Sequence, residues 1–192
     1  MDRKSLRKQM RELRRSVLPE DQARAATSAA KTALNQSAFP LGDSIALYMA
    51  ADGELDTGFL LQALLDQGKN CYLPVLVEET TTLLFKQFLP DKPLVSNFFG
   101  LLEPEPAAPA IDPQDLSCVF MPLVAFDEQG NRLGMGKGYY DRTFAFLKDK
   151  SAIGPELIGL AHECQRVESL EAADWDVPLG GIITGQQFYQ VR

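Results

Sequence analysis

The hydrophobic pattern opens with a helical period. Leu6, Met10, Leu13 and Val17 fall three or four residues apart, which predicts a helix over 5–17 with one apolar stripe. Arg3, Lys4, Arg7, Lys8, Arg11, Arg14 and Arg15 occupy its other faces. Pro19 marks a second helix start, since proline suits the first helical position, and the Ala-rich stretch 20–36 continues it. From residue 44 the pattern changes to short apolar runs bounded by turn residues. Runs 44–49, 70–77, 118–127, 156–161 and 181–184 read as buried strands, the last of these closing the sheet. Residues 82–89 alternate loosely and suit an edge or antiparallel strand. Between the first two runs, Phe59, Leu60, Leu64 and Leu65 mark a helix that stops at Gly68, with Asp56 or Thr57 as its cap. Strand, helix and strand with short links imply a right-handed parallel crossover. The expected fold is therefore α/β with a mainly parallel sheet. Residues 90–116 hold six prolines and read as one long loop, either a functional lid or a passive wrap.

The densest chemistry follows the run 118–127. Arg132, Leu133, Gly134, Met135, Gly136, Lys137, Gly138, Tyr139, Tyr140, Asp141 and Arg142 place three glycines at alternate positions before two tyrosines, an acid and a base. A helix is expected to continue over 143–148. Strand, glycine loop and helix present backbone N–H groups at a helix start, where phosphate binds well. Arg132 and Lys137 can neutralise phosphate charge, and Asp141 can hold magnesium. The loop is not a Walker A motif, because Gly138 follows Gly136-Lys137 where Ser or Thr is required. Nor is it a Rossmann fingerprint, because Tyr139 stands where the third glycine belongs. Glu54 and Asp56 follow the first strand, and the carboxyl ends of parallel strands tend to line the site. Capping and turn chemistry is the other reading of both. His162, the only histidine, sits at the end of the run 156–161.

Composition narrows the class. The chain has 192 residues, 45% of them hydrophobic, which fits one domain with a real core. No apolar run approaches a membrane span, and the charged N-terminus is not a signal peptide. Cys71, Cys118 and Cys164 are odd in number and form no CxxC pair, a pattern of reducing cytoplasm rather than of disulfides or structural zinc. The net charge is −7. Residues 1–15 carry seven basic against two acidic side chains, +5, so the remainder carries −12. An acidic body repels nucleic acid. The basic segment is either solvated or faces something anionic.

These residues resemble the 5-formyltetrahydrofolate cyclo-ligase family, also called methenyltetrahydrofolate synthetases, over nearly all of 3–184. The most specific parts are Pro122-Leu123-Val124-Ala125-Phe126-Asp127 and the loop from Arg132 to Arg142. Supporting parts are Lys4-Ser5-Leu6-Arg7, Gly53-Glu54-Leu55-Asp56-Thr57, and Asp176 ahead of Ile182-Ile183-Thr184. The resemblance implies a single domain over 1–192 with the basic helix, about 3–17, packed on it. It implies a three-layer α/β sandwich similar to the sugar-phosphate isomerase and CoA transferase folds. The implied activity is ATP- and magnesium-dependent closure of 5-formyltetrahydrofolate to 5,10-methenyltetrahydrofolate, in a cytoplasmic and monomeric enzyme. By position, Arg3, Lys4, Ser5, Leu6 and Arg7 match ATP contacts. So does the loop Arg132, Leu133, Gly134, Met135, Gly136, Lys137, Gly138, Tyr139 and Tyr140. Ala51, Glu54 and Asp56 match folate contacts, together with Met135 to Tyr139. Asp141 and Asp176 match magnesium positions, and Lys137 and Arg132 are the catalytic candidates. Gly180 stands where many members carry an acid.

Two other classes compete. A sugar-phosphate isomerase or CoA transferase would need a base or a Glu nucleophile and no ATP. A nucleic-acid adaptor would use 1–15 as a basic arm, against the embedded apolar stripe and the acidic body.

Overall fold

A computed structural model describes residues 2–77, 80–149 and 151–191. Helix α1 spans Arg3–Arg15, and the Asp2 side chain caps it by accepting from the backbone N–H groups of Lys4 and Ser5 at 2.9 and 3.0 Å. Helix α2 spans Pro19–Asn35 with Pro19 at its first position, as expected. Strand β1 (Ser44–Ala46), α3 (Gly58–Asp66) and β2 (Asn70–Leu76) form the parallel crossover, with Ile45 opposite Cys71. Strand β1 is shorter than the predicted 44–49. Leu47 still bonds to Tyr72, after which the Tyr48 carbonyl turns aside to accept from the Thr57 hydroxyl.

Strand β3 (Leu83–Gln87) runs antiparallel to β2, as expected, but it is not the edge, because β6 (Ala110–Ile111) pairs outside it. The proline-rich segment is more ordered than a loop. It folds a hairpin from β4 (Leu94–Ser96) and β5 (Leu102–Pro104), then β6 and a turn of 3-10 helix. The run 118–127 divides. Strand β7 (Cys118–Pro122) lies in the main sheet, while β8 (Ala125–Phe126) leaves it to pair with β9 (Arg132–Leu133). The glycine loop therefore follows the return arm of a hairpin, not the central strand. After it, α4 (Tyr139–Thr143) gives way to a 3-10 turn over Ala145–Lys148 in place of one continuous helix. Strands β10 (Glu156–Leu160) and β11 (Gly181–Ile183) are parallel to β7. An unforeseen strand β12 (Phe188–Gln190) closes that side antiparallel to β11.

The main sheet has the order β12-β11-β10-β7-β1-β2-β3-β6, with the five central strands parallel. Strand side chains alternate between faces. On one face Ile45, Leu47, Cys71, Leu73, Cys118 and Phe120 pack under Ala29, Ala30 and Ala33 of α2 and Leu60 and Leu64 of α3. On the other, Ala46, Val119, Met121, Leu157 and Ile182 pack under Phe126, Phe144 and Val177. Three layers result. The three cysteines are free thiols. No helix among the described residues is long and apolar enough to cross a membrane.

The orientation of α1 departs from expectation. Leu13 is 39% exposed, and the side chains facing the body are Met10 and a fully buried Arg14. Leu6 and Met10 meet Val124, Ala125 and Leu133 of the β8–β9 hairpin. An arginine displaces a leucine from the inward row because carboxylates wait there for it, and a paired charge can be buried where a lone one cannot.

Candidate functional site

Strands β1 and β7 are neighbours in the sheet, yet the chain leaves β1 toward β2 on one side and β7 toward β10 on the other. Loops diverge at such a point and leave a crevice beyond the strand ends. A cavity of about 470 Å³ occupies it. Tyr48, Ala51 and Glu54 line it after β1, Pro74 and Leu76 at the end of β2, and Pro122 and Leu123 at the end of β7. The glycine loop closes one side through Gly134, Met135, Lys137, Gly138, Tyr139, Tyr140 and Asp141, with Arg132 beneath.

Within the loop, Gly136 and Gly138 hold φ of 100° and 66°, a region that side chains strain to enter. These two residues let the chain double back between β9 and α4. A Cβ on Gly136 would also sit 3.4 Å from the Arg7 guanidinium. Lys137 is exposed, and its ammonium makes no hydrogen bond or ion pair among the described residues, while its carbonyl accepts from Arg142. That leaves one uncommitted cation at the rim of the cavity. Tyr140 is packed against the core and stacks on Phe144 at 6.4 Å. Burial pushes its phenol well above the ordinary range.

Arg132 is tied rather than free. Its guanidinium donates to Asp141 Oδ1 at 2.5 Å and to the Val177 carbonyl at 2.5 Å. Asp141 Oδ1 also accepts from the Val177 N–H at 3.2 Å. Asp176 Oδ2 accepts from the Ala173 N–H at 2.9 Å and from Arg3 at 3.4 Å. Among the described residues, no hydrogen bond reaches Asp141 Oδ2 or Asp176 Oδ1, so each carboxylate keeps one oxygen available to a cation.

The other predicted residues divide. Arg7 donates from Nε to the Gly134 carbonyl at 2.8 Å, which ties α1 to the glycine loop. Lys4 is exposed. The Ser5 hydroxyl donates to Asp2 at 2.6 Å, within the cap, and Leu6 and Leu133 are packing residues. Glu54 faces the cavity and accepts from the Ala51 N–H at 3.1 Å. Burial raises its carboxyl above the ordinary range, opposed by that N–H and by Arg14. Asp56 is exposed, lies outside the cavity wall and accepts from the Gly58 N–H at 2.8 Å. Its capping reading is the one with contacts.

Three features escaped the sequence reading. Asp52 holds φ of 54° and accepts from Arg11, Arg14 and Arg15. Burial raises its carboxyl, but the three arginines win and hold it below the usual carboxylate range. Arg14 is itself in the wall, four residues after Met10 and eight after Leu6, and that row of fours was its signal. The third feature is the β4–β5 hairpin, which overhangs the cavity with Phe99, Leu101, Leu102 and Glu103. Phe99 is 54% exposed.

A crevice at the strand ends of an α/β sheet, rimmed by a glycine loop, an exposed lysine and a basic helix, defines the site of an enzyme of this architecture. Comparison with known proteins makes this specific. The model of the 5-formyltetrahydrofolate cyclo-ligase family matches residues 1–185. The 5-formyltetrahydrofolate cyclo-ligase of Haemophilus influenzae is 44% identical over 185 residues, covering 95% of this chain and 97% of that one. Its counterpart in Escherichia coli is 37% identical over 183 residues, covering 94% and 99%. The solution structure of Aquifex aeolicus 5,10-methenyltetrahydrofolate synthetase superposes with a TM-score of 0.84 at 28% identity, covering 100% of this chain and 94% of that one. The Mycoplasma pneumoniae synthetase gives 0.73 at 26%, covering 96% and 99%. The chain belongs to the 5-formyltetrahydrofolate cyclo-ligase family of enzymes.

Proposed function

We propose that this enzyme converts 5-formyltetrahydrofolate to 5,10-methenyltetrahydrofolate with cleavage of ATP to ADP and phosphate, through a phosphorylated formyl group. The observation that carries it is the juxtaposition, in one cavity, of the Glu54 carboxylate and the glycine loop with Lys137. A pterin presents a 2-amino group and N3–H, two parallel donors that one carboxylate accepts together. Glu54, rather than Asp56, faces the cavity for this. The formyl oxygen is a poor leaving group. Its attack on the γ-phosphorus releases ADP and leaves an iminium phosphate at N5. The N10 lone pair then closes the ring, and phosphate departs with the former formyl oxygen while the N10 proton is lost.

Such a transfer needs positioning and charge neutralisation more than a protein nucleophile. Lys137 and the backbone N–H groups of its loop supply these at the phosphates. Arg7 steadies the loop through the Gly134 carbonyl, and Arg3 and Lys4 extend the cationic rim. Arg132 acts by fixing Asp141. Magnesium fits Asp141 and Asp176, because it takes one or two carboxylates and completes its shell with phosphate and water. Bound there, magnesium would neutralise charge developing on the phosphates. The mainly parallel sheet with helices on both faces supports kinship with the sugar-phosphate isomerase and CoA transferase scaffolds. Arg3, Arg7, Arg11, Arg14 and Arg15 all bond within this chain, which disfavours a nucleic-acid arm.

The test is turnover. With 5-formyltetrahydrofolate, ATP and magnesium, the near-ultraviolet absorbance of the methenyl product should rise, one ATP being consumed per product. Oxygen label in the formyl group should appear in phosphate. Product without labelled phosphate overturns the phosphorylated route; no product at all overturns the activity.

A further inference from the structure

Arg14 is the largest fully buried side chain among the described residues, with 0% exposure. Its guanidinium donates from Nε to the Asp52 carbonyl at 2.8 Å and from Nη2 to the Asp52 carboxylate at 2.8 Å. Nη1 reaches the Leu123 carbonyl at 3.4 Å and lies 3.6 Å from Glu54 Oε1. One side chain of α1 therefore joins the turn after β1 to the segment after β7, and both belong to the cavity wall. The packing of α1 is already supplied by Leu6 and Met10. Among the described residues, the polar contacts of Arg14 go only to residues that line the cavity. A planar fork with five donors matches this spread of acceptors, and a lysine cannot.

We infer that Arg14 is a positioning residue for the folate end of the cavity, holding the 51–54 turn and the charged Glu54 carboxylate in place to receive a pair of N–H donors. This rests on the proposed role of Glu54 above. The groups facing Glu54 are Arg14 and Arg11 from α1, Asp52 from its own turn and Tyr48 from the end of β1. Tyr140 of α4 completes the set among the described residues, and His162 after β10 lies against the Gly53 and Glu54 backbone. Burial favours protonation of Glu54, and Arg14 opposes it. Without Arg14, Arg11 is the remaining cation and burial gains ground. Glu54 then keeps its proton to higher pH and can no longer accept both donors.

The experiment uses the full chain with Arg14→Met and Arg14→Lys, each checked for a cooperative melt. In Arg14→Met the titration of Glu54, followed by carbon NMR and assigned against Glu54→Gln, should move to higher pH. The acid limb of kcat/KM for 5-formyltetrahydrofolate should move with it. In Arg14→Lys the KM for folate should rise about tenfold, the cost of roughly one lost charged hydrogen bond, with the KM for ATP little changed. If Arg14→Met does not fold, Arg14→Lys carries the test through its KM split. Folded variants with an unmoved Glu54 titration and wild-type folate KM overturn the inference. Because the Glu54 titration needs no substrate, it still decides the role of Arg14 if the protein proves to turn over no folate, an outcome that would instead overturn the proposed function.

Discussion

At the scale of single residues, the site is a contrast between committed and uncommitted charges. Arg132, Arg14 and Arg7 are bonded to this chain's own acceptors, and the Lys137 ammonium, among the described residues, is not. Lys137→Ala should therefore lower kcat by about 10²–10³-fold, the range for losing one charge-stabilising donor in the transition state, with an unchanged melting temperature. A single-turnover measurement at saturating ATP checks this, and near wild-type chemistry would remove Lys137 from the reaction. Arg132→Ala should behave differently. It unpins Asp141 inside the fold, so both the melting temperature and kcat should fall, and differential scanning fluorimetry beside kinetics separates the two residues.

At the scale of elements, α1 reaches the glycine loop through one polar contact that can be cut cleanly. Arg7→Gln removes the charged donor to the Gly134 carbonyl. A hydrogen bond from a charged group is worth about 1.5–3 kcal/mol, so the KM for ATP should rise on the order of tenfold or more while that for folate holds. Equal changes in both would mean that the helix steadies the cavity as a whole. This element also shows what the sequence could disclose. The period of α1, the proline start of α2, the β1–α3–β2 crossover and the glycine loop are all local patterns, and the structure has them. The inward row of α1 was misread because periodicity counts only apolar residues, whereas the row ends in a paired arginine whose partners lie 38 and 109 positions away. The hairpin β4–β5 was hidden because proline density masks short strands. The division of 118–127 was hidden because β7 and β8 are equally apolar and only the register of β9 separates them. Between Glu54 and Asp56 after β1, the pattern could not tell which faces the cavity. A one-residue cap at Gly58 decides which faces outward.

At the scale of the whole molecule, pH acts on two buried groups in opposite senses. His162 is 3% exposed with Nε2 unpaired among the described residues, and burial pushes its pKa below the ordinary histidine value. A depressed folded-state value means that its contribution is full above pH 6.5 and is lost as pH falls through the folded value. Glu54 is raised by burial. Its contribution is full below the carboxylate range and declines as pH rises through its folded value. An unfolded histidine takes up its proton between about pH 7.5 and 5.5, so the loss at His162 is read over that interval. Urea unfolding midpoints should fall over that interval, and His162→Gln should flatten the fall. An equally steep fall in that variant would assign the acid sensitivity elsewhere.

The long reach of α1 also has a consequence in time. Its residues are made before the rest of the described fold, yet Arg14 is buried only when Leu123 has been added, and Arg7 finds its acceptor only at Gly134. Contacts so distant in sequence are closed late, because the intervening chain must first be ordered. During synthesis the basic helix therefore waits, exposed, beside a growing acidic body. The cavity gains its final wall only when the chain through Asp141 has left the ribosome.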